Sequence, residues 1–423
     1  MISLPSAADP KVSVITLLDG AVEMAERCLR AIAAAGDTVP FETVVLLNDP
    51  DPELEDLVRG GTTGGKVILS RANAGPGVGW NLGAAVARAP RIATLHEDSE
   101  PSPDWLVPLC EVMSETGAGA VGSRLFNADG TVQNCGWVLF SDASHQPLKD
   151  ATAPEVAAAT DPTPADMLSG ASMMVDREAV QEVGGWDERF HPAVFVDIDV
   201  STSIRNRGRP VLSVPTSRVE HRSGTFDRRP NTPLTGPRLR LFLFERHRRR
   251  FLEKWAPLVP ELAPPPADPR PESVRAAVEV AVSRTRERAD RIRSGDWEPL
   301  PDLEQAERLH SGAASGPPVL EQDDGFYVVA PEVEQALKSV ELDALGDYCQ
   351  WLAAREGAVF DQLTEAQGAL DQRLGEIHDL QAQTSELQRQ HQELAATLEG
   401  ILQSRTWRMR SLARRVVRRR SRG

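Results

Sequence analysis

Three absences narrow the class of this protein. No apolar run reaches about 18 residues, the length a membrane-spanning helix needs, so no spanning helix is expected. The four cysteines, Cys28, Cys110, Cys135 and Cys349, are scattered without C-x-x-C spacing. That suits buried thiols in a reducing compartment better than disulfides or zinc. The amino terminus has no basic stretch followed by an apolar core, so no secretory signal is expected and a cytoplasmic protein is the reading. Positive charge is also scarce. The 423 residues carry a net charge of −15, yet the last nineteen hold nine arginines and no acid. The main body is therefore more acidic still, which argues against nucleic-acid binding and singles out the tail as the cationic element.

At this length more than one domain is expected. Lys11–Leu18 (KVSVITLL) is rich in β-branched residues and reads as a buried first strand, with helical apolar spacing following over Ala21–Ala35. Phe41–Leu47 and Val67–Leu69 read as further strands. Strands alternating with helices predict an α/β fold with a mostly parallel sheet covered on both faces. Ala118–Phe126 reads as a sheet strand, Gly136–Phe140 as part of a hairpin or acceptor-facing loop, and the polar, Pro/Ala-rich Ser141–Pro164 as a mobile loop.

The most informative stretch is Arg71–Leu106, RANAGPGVGWNLGAAVARAPRIATLHEDSEPSPDWL. It reads as a Gly/Asn-rich loop (Asn73–Gly83), a small-residue helix (Leu82–Ala89), and an apolar strand (Arg91–Leu95) that runs into Glu97, Asp98 and Glu100. Glycines let backbone approach a ligand closely, and free N–H groups at a helix start favour an anion. A carboxylate at a strand end sits where open α/β sheets bind ligands and can hold a divalent cation. Together these point to a nucleotide-diphosphate site; turn glycines and solvated acids are the plainer alternative.

The same order, Asn73, Gly75, Asn81, Gly83, then LHEDSEPSPDWL, resembles the family 2 glycosyltransferases of the inverting, GT-A type. A second stretch carries the resemblance further: GGWDERF from Gly184, then Asp197 and Asp199, the helix end Arg205–Gly208, and His221. The resemblance implies a Rossmann-like GT-A catalytic domain over residues 11–255, with Mg2+ or Mn2+ as cofactor. It implies metal contacts from Asp98 and His221, with His96 standing where the first D-x-D acid is usual and Glu100 able to compensate. It also implies donor or acceptor contacts from Asn48, Asp49, Asn73, Gly75, Asn81, Trp186, Asp187 and Glu188. Transfer to a hydroxyl needs a carboxylate to take its proton and a cation to neutralise the departing diphosphate. Asp197 is the choice for the base, with Asp199 as the alternative or as a helix cap. Val196 replaces the usual Glu. Capping for the acids and core packing for Trp186 are the plainer accounts of those residues.

Beyond the catalytic domain, residues 256–330 read as a Pro-rich linker with one charged helix (Glu272–Arg293). Leu239–Trp255 reads as a helix whose Arg248, Arg249 and Arg250 form a solvated face or meet anionic lipid. Residues 331–403 read as helical, with heptad seams at Val359, Ala366, Arg373, Leu380, Leu387, Leu394 and Ile401 and at Leu363, Leu370, Ile377, Thr384, His391 and Leu398. This predicts a coiled coil and a homodimer. The Arg-rich tail, 404–423, has the makeup of a helix on an anionic membrane, so peripheral contact with the inner face of the plasma membrane is expected.

The resulting expectation is an inverting glycosyltransferase moving a sugar from a nucleotide-diphosphate donor to a saccharide or lipid-linked saccharide in cell-envelope polysaccharide synthesis. Two rivals stand: a sugar nucleotidyltransferase, and a degenerate scaffold that recruits partners through the coiled coil and tail. The first is disfavoured because strand one runs into LLDGAVEMAERC with no Gly-rich, basic loop.

Overall fold

The computed structural model describes residues 1–35, 38–222, 237–300, 306, 318–323, 325–355 and 360–403. The Arg-rich tail lies outside the described residues, as does Val359. The chain divides into two compact units, Met1–Tyr348 and a second beginning at Cys349.

The first unit is built on a twelve-stranded mixed sheet. Its elements in chain order are β1 (Val12–Leu18), α1 (Val22–Ala34), β2 (Phe41–Asn48), α2 (Pro52–Gly61), β3 (Lys66–Ser70), α3 (Gly75–Val86), β4 (Arg91–His96), β5 (Ser99–Pro101) and α4 (Leu106–Thr116). There follow β6 (Ala120–Phe126), β7 (Val132–Asn134), β8 (Trp137–Leu139), β9 (His145–Pro147), β10 (Ser172–Asp176), α5 (Arg177–Glu182), α6 (Val196–Asn206) and β11 (Val211–His221). The unit closes with α7 (Pro237–Lys254), α8 (Pro271–Ser294), β12 (Val319–Asp323) and β13 (Phe326–Val329). The strand order starts from the two-residue strand Thr163–Pro164, which pairs with β11, and continues β11-β6-β10-β4-β1-β2-β3-β13-β12, with β5 on β11 and β7 on β6. Neighbours from β4 to β13 run parallel, whereas β10 is antiparallel to both β4 and β6. The expected mostly parallel α/β sheet is present.

Two-residue alternation sorts the strands' side chains to opposite faces. Val12 and Val14 pack with α1, α2 and α4, while Ile15 faces α3; Val45 and Leu47 oppose Val44 and Leu46 in the same way. Both faces are buried, so the strands read as unbroken apolar runs.

The Gly-rich segment differs from its sequence reading. It is not a loop: α3 starts at Gly75 and holds Gly77, Gly79 and Gly83. A Cβ on Gly79 would sit 2.5 Å from Leu17, and one on Gly83 2.6 Å from Ile15. These glycines let a helix press onto the sheet. Gly75 has φ +61, and a side chain there would collide with the Pro192 carbonyl.

The segment read as a mobile loop, Ser141–Pro164, contains β9, which pairs antiparallel with β8, and a short helix at Pro154–Ala157. The region read as a linker also has order. Helix α8 buries Val278, Ala281 and Val282 against the β8–β9 hairpin, and β13 pairs with β3. Asp166 anchors α8: it is fully buried and accepts from Arg288 Nη2 (2.6 Å), Thr285 Oγ1 (2.9 Å) and Leu139 N (3.0 Å). None of the four cysteines forms a disulfide, and Cys28, Cys110 and Cys135 are buried. On α7, Arg248 pairs with Asp142 and Arg250 donates to the Arg189 carbonyl, which leaves Arg249 exposed.

Helix α9 (Pro331–Arg355) runs past the end of the first unit. Within the second unit, α10 (Phe360–Gln403) is one continuous helix of 44 residues. No described helix is long and apolar enough to cross a membrane.

Candidate active site

The site forms at the carboxyl ends of β4 and β11, where strand pairing joins distant segments. The antiparallel β5–β11 register sets His221 opposite Ser99, and Arg222 N donates to the Asp98 carbonyl at 2.9 Å. His221 Nε2 thereby lies 3.2 Å from Asp98 Oδ1. His96 ends β4, stacks on Trp80 with ring centroids 6.2 Å apart, and meets the His221 ring at 5.8 Å. One potential ligand atom from each of His96, Asp98 and His221 lies within 4.8 Å of the others. Burial holds the His96 ring below its ordinary pKa against the pull of Asp98, so it is kept neutral with a lone pair to offer. Two imidazoles and a carboxylate form a donor set suited to a divalent cation of intermediate softness. His96, Asp98 and His221 thus fit a metal.

Glu100 does not join this cluster. It accepts from Arg27 Nη2 (2.6 Å) and Arg222 Nε (3.0 Å), outside the triad. Glu100 lies within β5, opposite Glu220 of β11, whereas Asp98 precedes that strand in the turn after β4. Glu97 turns inward, where its Oε2 accepts from Asp19 N (2.9 Å) and Gly20 N (3.0 Å) and ties down the turn after β1. Burial pushes its carboxyl up to about 8, with the Asp19 charge adding to the effect.

Asp197 approaches the same place from α6. Its Oδ2 accepts from Gly170 N at 3.3 Å and its Oδ1 from Ile198 N at 3.0 Å. Gly170 also adjoins the candidate metal triad: a Cβ there would lie 3.4 Å from His96 Nε2 and collide with Trp80. Asp197 and His96 interact electrostatically across this glycine, while burial raises the Asp197 carboxyl above its usual range. The backbone just before it is strained. Val194 and Phe195 have φ of +61 and +68, a region bulky side chains avoid. His247 braces this turn by donating Nδ1–H to the Ala193 carbonyl at 2.9 Å.

Asp199 is placed differently. It is buried with Lys254 Nζ and Trp255 Nε1 at 2.9 and 2.8 Å, and Lys254 also reaches Asp187 at 2.9 Å. Asp187, Glu188 and Trp186 are fully buried. Asn81 donates to the Trp186 carbonyl and to Glu188 Oε1, both at 2.8 Å, and accepts from Trp186 N at 3.1 Å. These four residues fasten α3 to the turn before α6, and none presents an open surface. Asn48 Nδ2 donates to Asp19 and to Asn73, both at 3.1 Å, while its Oδ1 accepts from Ala74 N at 2.6 Å. Asn73 in turn accepts from Gly75 N. Asp49, at φ +51, hydrogen-bonds its amide to the Ser70 carbonyl. Asp19, Asn48, Asp49 and Asn73 thus cluster at the carboxyl ends of β1 to β3, beside the triad's strand. Asp19, Trp80, Lys254 and Gln133 carry no motif of their own, and each acquires its place only through the sheet.

Residues 13–184 match the family model described as Glycosyl transferase family 2. An uncharacterized protein, y4gI, of Sinorhizobium fredii is 25% identical over 165 residues. That is 38% of this chain, and the match spans 18% of the relative's length. Among solved structures, GalNAc-T7 with UDP, GalNAc and Mn2+ is similar at a TM-score of 0.42 and 15% identity, over 70% of this chain and 59% of that one. The mannosyltransferase PcManGT from Pyrobaculum calidifontis, in complex with GDP-Man and Mn2+, is similar at 0.40 and 14% identity, over 82% and 84%.

Proposed function

We propose that this chain, whose residues 13–184 match the family 2 glycosyl transferases, is an inverting enzyme of the GT-A type. It moves a sugar from a nucleotide-diphosphate donor to an acceptor hydroxyl, with a saccharide or lipid-linked saccharide as acceptor class. The carrying observation is the convergence of the His96–Asp98–His221 triad and Asp197 on Gly170. A divalent ion held by the triad supplies charge neutralisation for a departing diphosphate. Asp197 accepts the acceptor's hydroxyl proton as its oxygen bonds to the anomeric carbon. The bond from that carbon to the diphosphate oxygen breaks, and the electron pair leaves with the nucleotide diphosphate. Asn48, Asp49 and Asn73, together with Asp19, stand where the nucleotide meets the strand ends. Asn81, Trp186, Asp187 and Glu188 shape the cleft from beneath.

Calorimetric titration of purified protein with sugar nucleotides tests this reading against a scaffold. Binding is expected with Mn2+ present and is expected to vanish with chelator. Affinity for no nucleotide diphosphate under either condition sinks the enzyme reading.

The same proposal includes self-association through α10. Leu380, Leu387 and Leu394 recur every seven residues and are 47%, 65% and 64% exposed. Around these leucines the charges lie on another face, where Arg389 pairs with Glu386 and Glu393. The residues flanking the leucine seam, Gln381, Gln383, Gln388 and Gln390, are uncharged. No charge code selects a different partner, so a second copy is the occupant. Sedimentation is expected to give a dimer that Leu387→Lys with Leu394→Lys converts to monomer; an unchanged mass for that variant, or a monomeric parent, overturns the pairing.

A further inference from the structure

We infer that Gln133 is a positioning residue that fixes the tautomer of His221 and so makes Nε2 the metal-binding atom. The inference rests on the metal-site reading above and deepens it. Gln133 lies on β7, which pairs with β6 beside the end of β11. Its Nε2 donates to the His221 carbonyl at 3.0 Å and to Asn127 Oδ1 at 3.1 Å. A backbone carbonyl can only accept, so the orientation of the Gln133 amide is fixed: nitrogen toward the carbonyl, oxygen toward the ring. That oxygen lies 2.7 Å from His221 Nδ1. An amide oxygen can only accept, so Nδ1 carries the proton.

The consequence falls on the other ring nitrogen. In the neutral ring, Nε2 is then a bare lone pair, and it faces Asp98 Oδ1 at 3.2 Å. Two acceptors opposed at that distance call for a cation between them. Histidine ligands generally have their second nitrogen held by such a partner, and losing it costs about 10–100-fold in metal affinity. Gln133 also has a plainer task, holding the end of β11 through the His221 carbonyl. The two roles use different atoms of one amide, and a carboxylate separates them. Gln133→Glu keeps an acceptor for Nδ1–H and loses the donor to the carbonyl, whereas Gln133→Leu loses both.

The experiment uses full-length protein with histidine-selective nitrogen labelling, and His221→Gln assigns the resonance. In the metal-free parent, His221 is expected as the Nδ1–H tautomer; in Gln133→Leu a mixture is expected. Mn2+ titration followed by electron paramagnetic resonance should give a dissociation constant about 10–100-fold weaker for Gln133→Leu, with Gln133→Glu close to the parent. The inference is overturned if the parent shows the Nε2–H tautomer. It is overturned too if Gln133→Leu binds Mn2+ as the parent does, or if Gln133→Glu loses as much affinity as Gln133→Leu. Failure of the underlying metal reading looks different: the parent itself then has no affinity for Mn2+, and no variant is needed to see it.

Discussion

Asp197→Asn is expected to cut sugar transfer by about 10²–10⁴-fold, the usual worth of a positioned general base, while the protein stays folded. The amide keeps the shape and one acceptor oxygen, so one of the Gly170 and Ile198 amides, which bind different oxygens of Asp197, keeps its partner and the other loses it. What the side chain loses is the capacity to take a proton. Against that lost hydrogen bond stands the removal of a buried charge, and its sign follows from the direction of the shift. Burial raises the Asp197 carboxyl above its usual range. A group raised in the folded state favours folding only at pH below its unfolded value, and that contribution is lost as pH rises through the folded value. At neutral pH the ionised group is therefore a burden that asparagine removes. The parent's rate should fall on acidification at a pH above the ordinary carboxylate range, as the base becomes protonated. Release of nucleoside diphosphate, followed across pH for both proteins, checks the two statements together. Normal turnover by a folded Asp197→Asn protein removes the base assignment. Asp199→Asn is the informative contrast, since that carboxylate is enclosed by Lys254 and Trp255 and its loss should register in melting first.

The sequence reading reached the candidate site partly through a wrong local picture. Gly79 and Gly83 suit a phosphate-cradling loop and a helix pressed onto a strand equally well, because both need a missing Cβ. Only the contacts with Leu17 and Ile15 separate the two. The strand Arg91–Leu95, which the structure extends to His96, the acids after it and Asp197 could be picked out because apolar runs and acid spacing are local properties. What decides the geometry is not local. The β5–β11 pairing brings His221 to Asp98 across more than a hundred residues and carries Glu100 away to Arg27 and Arg222. Gln133 meets His221 only because β7 folds back along β6. Asn81 has the same polar side chain whether it faces a ligand or the Trp186 backbone, and the chain alone does not say which. The partner strand β9 of the hairpin and the strands β12 and β13 escaped for a related reason. Short strands in Pro- and Ala-rich surroundings give too few alternating residues for the period to show.

Lys254→Ala is expected to destabilise the first unit by about 3–5 kcal/mol, the cost of stripping one partner from a buried ion pair. Lys254 is 5% exposed and sits between Asp187 and Asp199, themselves 0% and 1% exposed. Without the ammonium, Asp187 keeps Arg189 at 2.7 Å, but the enclosed Asp199 loses its cation and would have to take a proton or draw in water. The lesion lies at the junction where the end of α7 grips α6, since Trp255 donates to the same Asp199. It should thus loosen the helix that carries Asp197 as well as lower the melting temperature. The triad also predicts an alkaline edge. Burial alone would lower the Lys254 ammonium, but Asp199 and Asp187 outweigh it and hold the group above its ordinary range. A raised folded-state value means the contribution is complete below about pH 10.4, the unfolded lysine value, and is lost as pH rises through the folded one. Chemical denaturation of parent and Lys254→Ala from pH 7 to 11 should show two curves converging at the alkaline end. Restoring neutrality in a different way sharpens the test. Lys254→Met combined with Asp199→Asn removes one charge of each sign and leaves Asp187 with Arg189, and should recover much of what Lys254→Met loses alone. If Lys254→Ala melts with the parent, or if the gap between them does not narrow toward high pH, the ammonium is not what holds these two helices together.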